Sequence, residues 1–157
     1  MLTELVRGTS QTQRELVLIT IAGQTYALGI SALREIRSWT PATVLPGSPD
    51  YIRGVVNLRG MVLPIVDLAL RLGFARTEAD SRCAVVVVQI AGRNLGLLVE
   101  GVSEIISVDA SAIQPPPGID GMSSSVVCGL LPMADRMIGI LETERLINVD
   151  QDLPDVG

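Results

Sequence analysis

The chain has 157 residues, the length of one domain, and a domain of this size buries roughly 70% of its unfolded surface on folding. Its basic residues are 12 arginines, with no lysine and no histidine, and 17 acidic residues bring the net charge to −5. This composition excludes histidine acid–base chemistry, lysine nucleophiles and lysine phosphate loops, and it lacks the basic, aromatic-rich surface of nucleic-acid binders.

Residues 1–14 are polar and without periodicity, which predicts a flexible N-terminal arm. From Glu15 onward, short apolar runs separated by Gly, Pro, Asn and Asp predict a mainly β chain, arranged as a barrel or sandwich. Ten strands are predicted: Leu16–Ala22, Thr25–Gly29, Arg34–Ser38, Ile52–Leu58, Met61–Asp67, Ala84–Ala91, Asn94–Val99, Val102–Ser107, Val126–Leu131 and Arg136–Leu141.

Helical signals are few and short. They predict a turn at Ile30–Leu33, a helix through Leu72 that Asp67 caps, and a last helix at Glu142–Asn148. Residues 151–157 are expected to form a tail.

The longest charge-free run extends from Leu16 to Leu33 and has 18 residues, the lower limit for a membrane-spanning helix. Gly23, Gln24 and Gly29 interrupt it, and the first fifteen residues contain no apolar core of signal-peptide length. The sequence therefore predicts a cytoplasmic protein with no direct membrane insertion.

An internal repeat is the most informative feature of the organisation. Ile21-Ala22-Gly23 recurs as Ile90-Ala91-Gly92, and at the same offset of 69 residues Glu35-Ile36 matches Glu104-Ile105. Further along, Gly54-Val55 pairs more loosely with Gly129-Leu130. Chance similarity between two hairpins is the alternative. A true duplication predicts two small β-barrels that share one hydrophobic seam, with Phe74–Arg82 as the polar connection between them.

No catalytic or metal site is predicted. Ser123-Ser124-Ser125 has no histidine to activate it, and the paired carboxylates near the C-terminus fit a solvated face. Cys83 and Cys128 lie far apart without a CxxC spacing, so both are expected to be buried thiols.

The segment from Gly54 to Gly60 predicts a hairpin tip from which Arg59 projects, because Asn57 and Gly60 suit a turn. Arg59 is either a solvated turn residue or an interface anchor, and composition does not decide between them. Trp39 is likewise either a lid on the core or an exposed contact.

The residues from Tyr51 to Leu68 resemble the hallmark segment of the CheW family of bacterial chemotaxis coupling proteins, with the pattern G-V-x-N-L-R-G-x-x-x-P-[IV]-[VI]-D-L. The resemblance continues through Glu35-Ile36-Arg37, Val99–Ile106 and Gly129–Asn148, so that it spans nearly all of the predicted folded region. It implies two SH3-like five-stranded β-barrel subdomains, at about 15–80 and 81–150, around a shared hydrophobic core with short helices. Residues 15–150 would then form a single CheW-like domain.

The resemblance also implies a non-enzymatic scaffold without cofactor or metal. Such adaptors couple chemoreceptors, the methyl-accepting chemotaxis proteins, to the histidine kinase CheA, and they are recruited to receptor arrays at the membrane. Their partners are the regulatory domain of the kinase and the cytoplasmic hairpin tip of the receptor, with no nucleic acid. Two alternatives are a CheW-like adaptor of another receptor–kinase pathway, such as surface motility or biofilm control, and a β-barrel that binds a small molecule.

Matched positions imply two sets of contact residues. The kinase-binding candidates are Leu33, Glu35, Ile36 and Gly54, and the receptor-binding candidates are Asn57, Arg59, Ala84, Val85, Val102 and Ile105. Arg59 is the strongest candidate, because the motif and the predicted turn both select it. The chain departs from the family in stopping nine residues after Asn148 and in having Ala84 where a β-branched residue is usual.

Overall fold

A computed structural model of the chain describes residues 12–116, 126–148 and 152–153. All ten predicted strands are present, within three residues of their predicted ends. They are β1 (Gln13–Ile21), β2 (Gln24–Gly29), β3 (Leu33–Ser38), β4 (Ile52–Leu58), β5 (Met61–Asp67), β6 (Ala84–Ile90), β7 (Arg93–Val99), β8 (Gly101–Asp109), β9 (Val127–Met133) and β10 (Arg136–Leu141). Two short helices, α1 (Leu68–Arg71) and α2 (Thr143–Leu146), follow β5 and β10, and 3-10 turns lie at Ile30–Ala32 and Ala110–Ala112.

The strands form two five-stranded sheets with equivalent orders. Sheet A has the order β8-β1-β2-β10-β9, and sheet B has the order β3-β6-β7-β5-β4. Since β6–β10 repeat β1–β5, each sheet combines the first two strands of one half of the chain with the last three strands of the other. The predicted subdomains, 15–80 and 81–150, therefore correspond to the copies of the repeat and not to the two sheets.

Isolated bridges curve each sheet toward a barrel. Thr43, beyond edge strand β3, pairs with Val55 on the opposite edge strand β4, and Gln114, beyond β8, pairs with Leu130 on β9. These bridges place Gly54 and Gly129 at equivalent positions, as the looser half of the predicted repeat requires. The predicted fold of two five-stranded units is confirmed.

Apolar side chains fill three clusters. The shared core lies between the sheets and includes Val17 and Ile19 of β1 with Val86 and Val88 of β6. The alternate residues of the same strands enter the interior of sheet A, through Leu16 and Leu18, or the interior of sheet B, through Val85 and Val87. Leu16–Ile19 of β1 and Val85–Val88 of β6 are buried on both faces, which explains why these stretches are continuous apolar runs.

The repeated hairpin turns have the same backbone geometry. Ala22 and Ala91 both have φ of 52°, and the following Gly23 and Gly92 have φ of 76° and 79°. Two successive residues with positive φ give the tight turn that matches the twist of a β-hairpin, and glycine adopts it without steric cost. The predicted turns are confirmed, and their likeness supports a duplication.

Two details differ from the sequence predictions. Gln13 and Arg14, expected in the flexible arm, belong to β1 and pair with Asp109 and Val108 of β8; residues 1–11 lie outside the described residues. Cys83 is buried as expected, but Cys128 is exposed, because it lies on the outward face of edge strand β9.

Among the described residues, no helix is long and apolar enough to cross a membrane.

A buried ion pair joins β4 to the end of β5. Asp67 is fully buried, and its carboxylate accepts hydrogen bonds from the Thr77 backbone N–H at 2.9 Å, from the Thr77 hydroxyl at 2.7 Å and from Arg53 Nη1 at 3.2 Å. Arg53 also donates to the Thr77 carbonyl at 2.8 Å and lies 5.5 Å from the centre of the Trp39 ring. Trp39 packs against the interior of sheet B, so the structure favours its role as a lid on the core.

The C-terminal residues close the shared core next to Tyr51. Leu153 is buried there, the Tyr51 hydroxyl bonds to the Asp152 carboxylate, and the Arg71 guanidinium lies 5.7 Å from the Tyr51 ring centre. Burial is the main cause, and the bond to Asp152 a second cause, of a Tyr51 pKa raised from 10.0 to about 12.

We expect this tyrosine to make stability fall at high pH. A phenol whose pKa is higher in the folded state contributes stability fully below its unfolded pKa, and the contribution is lost as pH rises from about 10 through about 12. Urea unfolding of the native chain at pH 8 and pH 11 should show this loss. The Tyr51→Phe variant should lose less stability over the same interval, and an equal loss in both proteins would contradict the assignment.

Candidate protein-interaction surface

The β4–β5 hairpin presents Arg59 at its tip. Arg59 has φ of 52° and is followed by Gly60 with φ of 85°, the same turn geometry as in the two Ala-Gly hairpins. The Asn57 side chain locks the turn, because its Oδ1 accepts a hydrogen bond from the Gly60 N–H at 2.7 Å. The Arg59 side chain is 68% exposed, so its guanidinium is available to a partner.

The carboxylate of Glu35, on the other edge strand β3, forms an ion pair with this guanidinium. Glu35 Oε2 lies 2.6 Å from Arg59 Nη2, and Glu35 Oε1 lies 3.1 Å from Arg37 Nη1. The hydrogen bond from Arg59, followed by that from Arg37, lowers the Glu35 pKa below its ordinary value of 4.5. The ion pair stays intact as pH falls until the medium reaches this lowered pKa.

The coupling between Glu35 and Arg59 can be measured in solution. A carboxyl-detected NMR titration should give Glu35 a pKa below the ordinary glutamate value, and Arg59→Ala should raise it, because the largest cause of the shift is removed. Arg82→Ala, which removes a guanidinium bonded to Asp80 instead, should leave the Glu35 pKa unchanged. An unshifted Glu35 in the native chain would contradict the ion pair.

Apolar side chains flank the tip. Met61 is 62% exposed, Val62 48% and Val44 69%, and a cleft of about 460 Å³ between the 40–43 segment and the hairpin runs beside them. Ile36 on β3 is 43% exposed. An exposed guanidinium with exposed apolar side chains on the same hairpin is typical of a protein-binding surface.

The predicted kinase-binding residues occupy different depths. Glu35 and Ile36 reach the surface on β3, and Leu33 is half-buried against the shared core. Gly54 is buried with φ of 140°, and a Cβ there would collide with the Thr43 carbonyl oxygen. Gly54 therefore offers no surface to a partner, but it lets the Thr43 and Val55 backbones approach each other.

The predicted receptor-binding residues also differ in their exposure to solvent. Asn57 and Arg59 share the hairpin tip, Ile105 is 51% exposed on β8, and Val102 is half-buried beside it. Ala84 is half-buried, and Val85 points into the interior of sheet B with 4% exposure. Val85 thus supports the surface from beneath.

The repeat relates some of these positions to one another. Ile36 and Ile105 occupy equivalent places on β3 and β8, and both are exposed. At the β9–β10 tip, however, Ala134 replaces Arg59 with the same φ of 52°. The arginine tip is therefore a property of one half of the chain only.

Sequence reasoning placed Met61 beside Arg59 at the tip but missed Arg37, Val44 and Val62. Met61 and Val62 were assigned to a strand, but an apolar strand end does not show whether its side chains face the core or solvent. Arg37 belongs to the Glu35-Ile36-Arg37 motif, and its alternation with Glu35 on one strand face was a usable signal.

The chain matches known proteins over almost its whole described length. A family model described as CheW-like domain matches residues 15–151. The chain is 42% identical over 144 residues to a probable chemotaxis protein CheW of Rhizobium etli, covering 91% of this chain and 93% of that protein. It is 43% identical over 134 residues to the chemotaxis protein CheW of Rhizobium meliloti, covering 85% and 86%.

A solved structure has the same fold. The scaffolding protein CheW from Thermoanaerobacter tengcongensis superposes with a TM-score of 0.79 at 31% sequence identity, covering 87% of this chain and 89% of that one. The similarity therefore extends through both sheets and their exchanged strands, beyond the hairpin motif.

Proposed function

The chain belongs to the CheW-like domain family, and from this we infer that it is a chemotaxis adaptor that couples chemoreceptors to the histidine kinase CheA. The relatives with the highest identity have chemotaxis names, and the solved neighbour is a scaffolding protein. The other pathways considered from sequence are not favoured. The proposed partners are the regulatory domain of the kinase and the cytoplasmic tip of the receptor, which would bring the adaptor to receptor arrays at the membrane.

The observation that supports this function most directly is the arginine tip. Arg59 stands on a rigid turn, is held by Glu35 at 2.6 Å, and is flanked by exposed Met61 and Val62. A preoriented guanidinium loses little conformational freedom on binding and forms directional hydrogen bonds with an acceptor on the partner.

We place the two partner surfaces side by side. Leu33, Glu35 and Ile36 on β3 are proposed to face the kinase, and Gly54 is proposed to act indirectly, by letting the Thr43 and Val55 backbones pair. Arg59 and Asn57 at the tip, with Ala84, Val85, Val102 and Ile105, are proposed for the receptor. The Glu35–Arg59 ion pair then lies where the two surfaces meet, so a change in one contact alters the charge environment of the other.

Coupling through such an adaptor is a difference in binding free energy. If receptor binding at Arg59 changes the affinity of the adaptor for the kinase by some factor, kinase binding changes its affinity for the receptor by the same factor. Individual contacts can be weak, since many adaptors held in one array raise the effective concentration of each partner.

The test is charge reversal at the tip. Arg59→Glu places a second carboxylate beside Glu35 and should weaken binding to at least one partner more than about tenfold, or about 1.4 kcal/mol, while unfolding stays cooperative. Calorimetric titration against the kinase regulatory domain and against a receptor cytoplasmic fragment measures this loss.

Arg82→Glu is the matched control, because Arg82 is 87% exposed and its guanidinium bonds to nearby Asp80, away from the arginine tip. It should leave both affinities within about twofold of the native values. If Arg59→Glu binds both partners as tightly as the native chain does, the tip is not a contact. If Arg59→Glu does weaken receptor binding, the exchanged pair Glu35→Arg with Arg59→Glu distinguishes a direct contact of Arg59, for which receptor binding stays weak, from a purely structural ion pair, for which it recovers.

A further inference from the structure

The strand pairing makes each half of the chain dependent on the other. Apart from the isolated bridges at Thr43 and Gln114, the described strands of one half pair with each other only as hairpins: β1 with β2 and β4 with β5, then β6 with β7 and β9 with β10. The four remaining ladders, β1–β8, β2–β10, β3–β6 and β5–β7, all join residues of the first half to residues of the second. An isolated hairpin is marginally stable at best, so neither half has a complete sheet alone.

Side-chain hydrogen bonds also join the two halves of the chain. Glu100 accepts from the Gly23 N–H at 2.9 Å, Arg34 donates to Gln89 at 2.6 Å, and Arg136 donates to the Thr25 hydroxyl at 3.0 Å. Each contact needs the two halves to meet, but none requires that they belong to one molecule.

The covalent link between the halves has a short exposed stretch. Thr77 is fixed to the first half through Asp67 and Arg53, and the Cys83 carbonyl accepts from the Trp39 N–H at 3.3 Å. Between these anchors, residues 78–82 lie mostly at the surface. Their hydrogen bonds are local: Arg82 bonds to Asp80, the Cys83 N–H to the Asp80 carbonyl, and Cys83 Sγ to the Glu78 carbonyl at 3.9 Å.

From this arrangement we propose that a second copy of the chain can supply the missing half, giving a domain-swapped dimer whose hinge is residues 78–82. The first half of each copy completes both sheets with the second half of the other, and every inter-half ladder is preserved. The native hinge favours the single chain because it keeps the two halves at high effective concentration. Shortening the hinge removes that advantage and favours the dimer.

The swapped dimer would contain two complete copies of the arginine tip and of β3. If the proposed adaptor function holds, such a dimer can bind two copies of each partner. This bivalency rests on the proposed function, and the dimer itself does not. The dimer itself is measured without any partner, so its absence and a failure of partner binding are separate results.

The experiment combines hinge shortening with a disulfide that forms only across copies. Gln13 and Asp109 are opposite each other on β1 and β8, and directly opposed antiparallel residues lie within disulfide range. In a Cys128→Ser background with residues 80–82 deleted, chains bearing only Gln13→Cys are mixed, unfolded and refolded with chains bearing only Asp109→Cys. The proposal expects a dimer by light scattering and a covalent dimer after oxidation.

Two controls define the result. Both cysteines in one chain with the native hinge should give an intramolecular disulfide, and three added Gly/Ser residues in the hinge should keep the chain monomeric. A folded monomer from the shortened chain, or a dimer without cross-links between copies, overturns the proposal. If the shortened chain does not fold, the two single-cysteine chains with native hinges are refolded together at high concentration. Cross-linked dimer supports the swap, and its absence overturns it.

Discussion

Replacing Arg53 by methionine is expected to lower the free energy of unfolding by about 3–5 kcal/mol. The Asp67 carboxylate is fully buried and would keep its bonds to Thr77 but lose its cation at 3.2 Å. The Thr77 carbonyl would lose its donor as well. A buried charge without a partner costs more than the ion pair contributes when it is intact.

Chemical denaturation measures the loss, and Arg71→Met is the matched control. Arg71 also lies over an aromatic ring, that of Tyr51, but has no buried carboxylate beside it, so its replacement should cost about 1 kcal/mol or less. Adding Asp67→Asn to Arg53→Met should recover part of the loss, because the unpaired charge disappears. An Arg53→Met chain within 1 kcal/mol of the native chain would contradict the ion pair's role.

Gly54→Ala is the second substitution with a large expected effect, and it should lower the free energy of unfolding by about 3 kcal/mol or more. A residue with a side chain is strained at φ of 140°, and its Cβ would meet the Thr43 carbonyl oxygen, which cannot rotate away as a side chain does. The hydrogen bonds between Thr43 and Val55, at 2.8 and 2.9 Å, would be displaced with it. The 40–44 segment would then lose its attachment to β4.

Gly101→Ala is the control for this substitution, because its Cβ would meet no atom within 4 Å and its φ is not in the positive range. Thermal unfolding should show Gly101→Ala near the native midpoint and Gly54→Ala well below it. The loss of kinase binding by Gly54→Ala should be no larger than the loss of folded protein explains. A stable Gly54→Ala chain with selective loss of kinase binding would instead mean that position 54 contacts the kinase directly.

The sequence predicts the strands of this fold well because the strongest strands have local signals. β1 and β6 each contain a continuous apolar run, Leu16–Ile19 and Ala84–Val88, and each hairpin turn includes a glycine, which adopts positive φ without steric cost. The exchange of strands between halves has no local signal, since a hairpin carries no information on which distant hairpin lies beside it. The repeat predicted two equivalent units but not that each unit draws on both copies.

In the candidate site, too, the features with a local sequence signal could be predicted and those set by distant contacts could not. Asn57 and Gly60 predict the turn that displays Arg59, and the structure has that turn. The contact between Arg59 and Glu35 joins residues 24 positions apart and depends on sheet B curving to bring β3 near the β4–β5 tip. The exposure of Cys128 was missed for a related reason, because an apolar strand does not reveal which of its faces is covered.

The most direct test is whether one molecule of this chain holds the kinase regulatory domain and a receptor cytoplasmic fragment at the same time. Each partner is titrated alone, and then the kinase domain is titrated into adaptor already saturated with receptor fragment. The proposed function predicts saturable binding to each and a ternary complex with one copy of each partner per adaptor. Binding to neither partner, or complete displacement of one by the other, would contradict the proposal that this chain is a coupling adaptor.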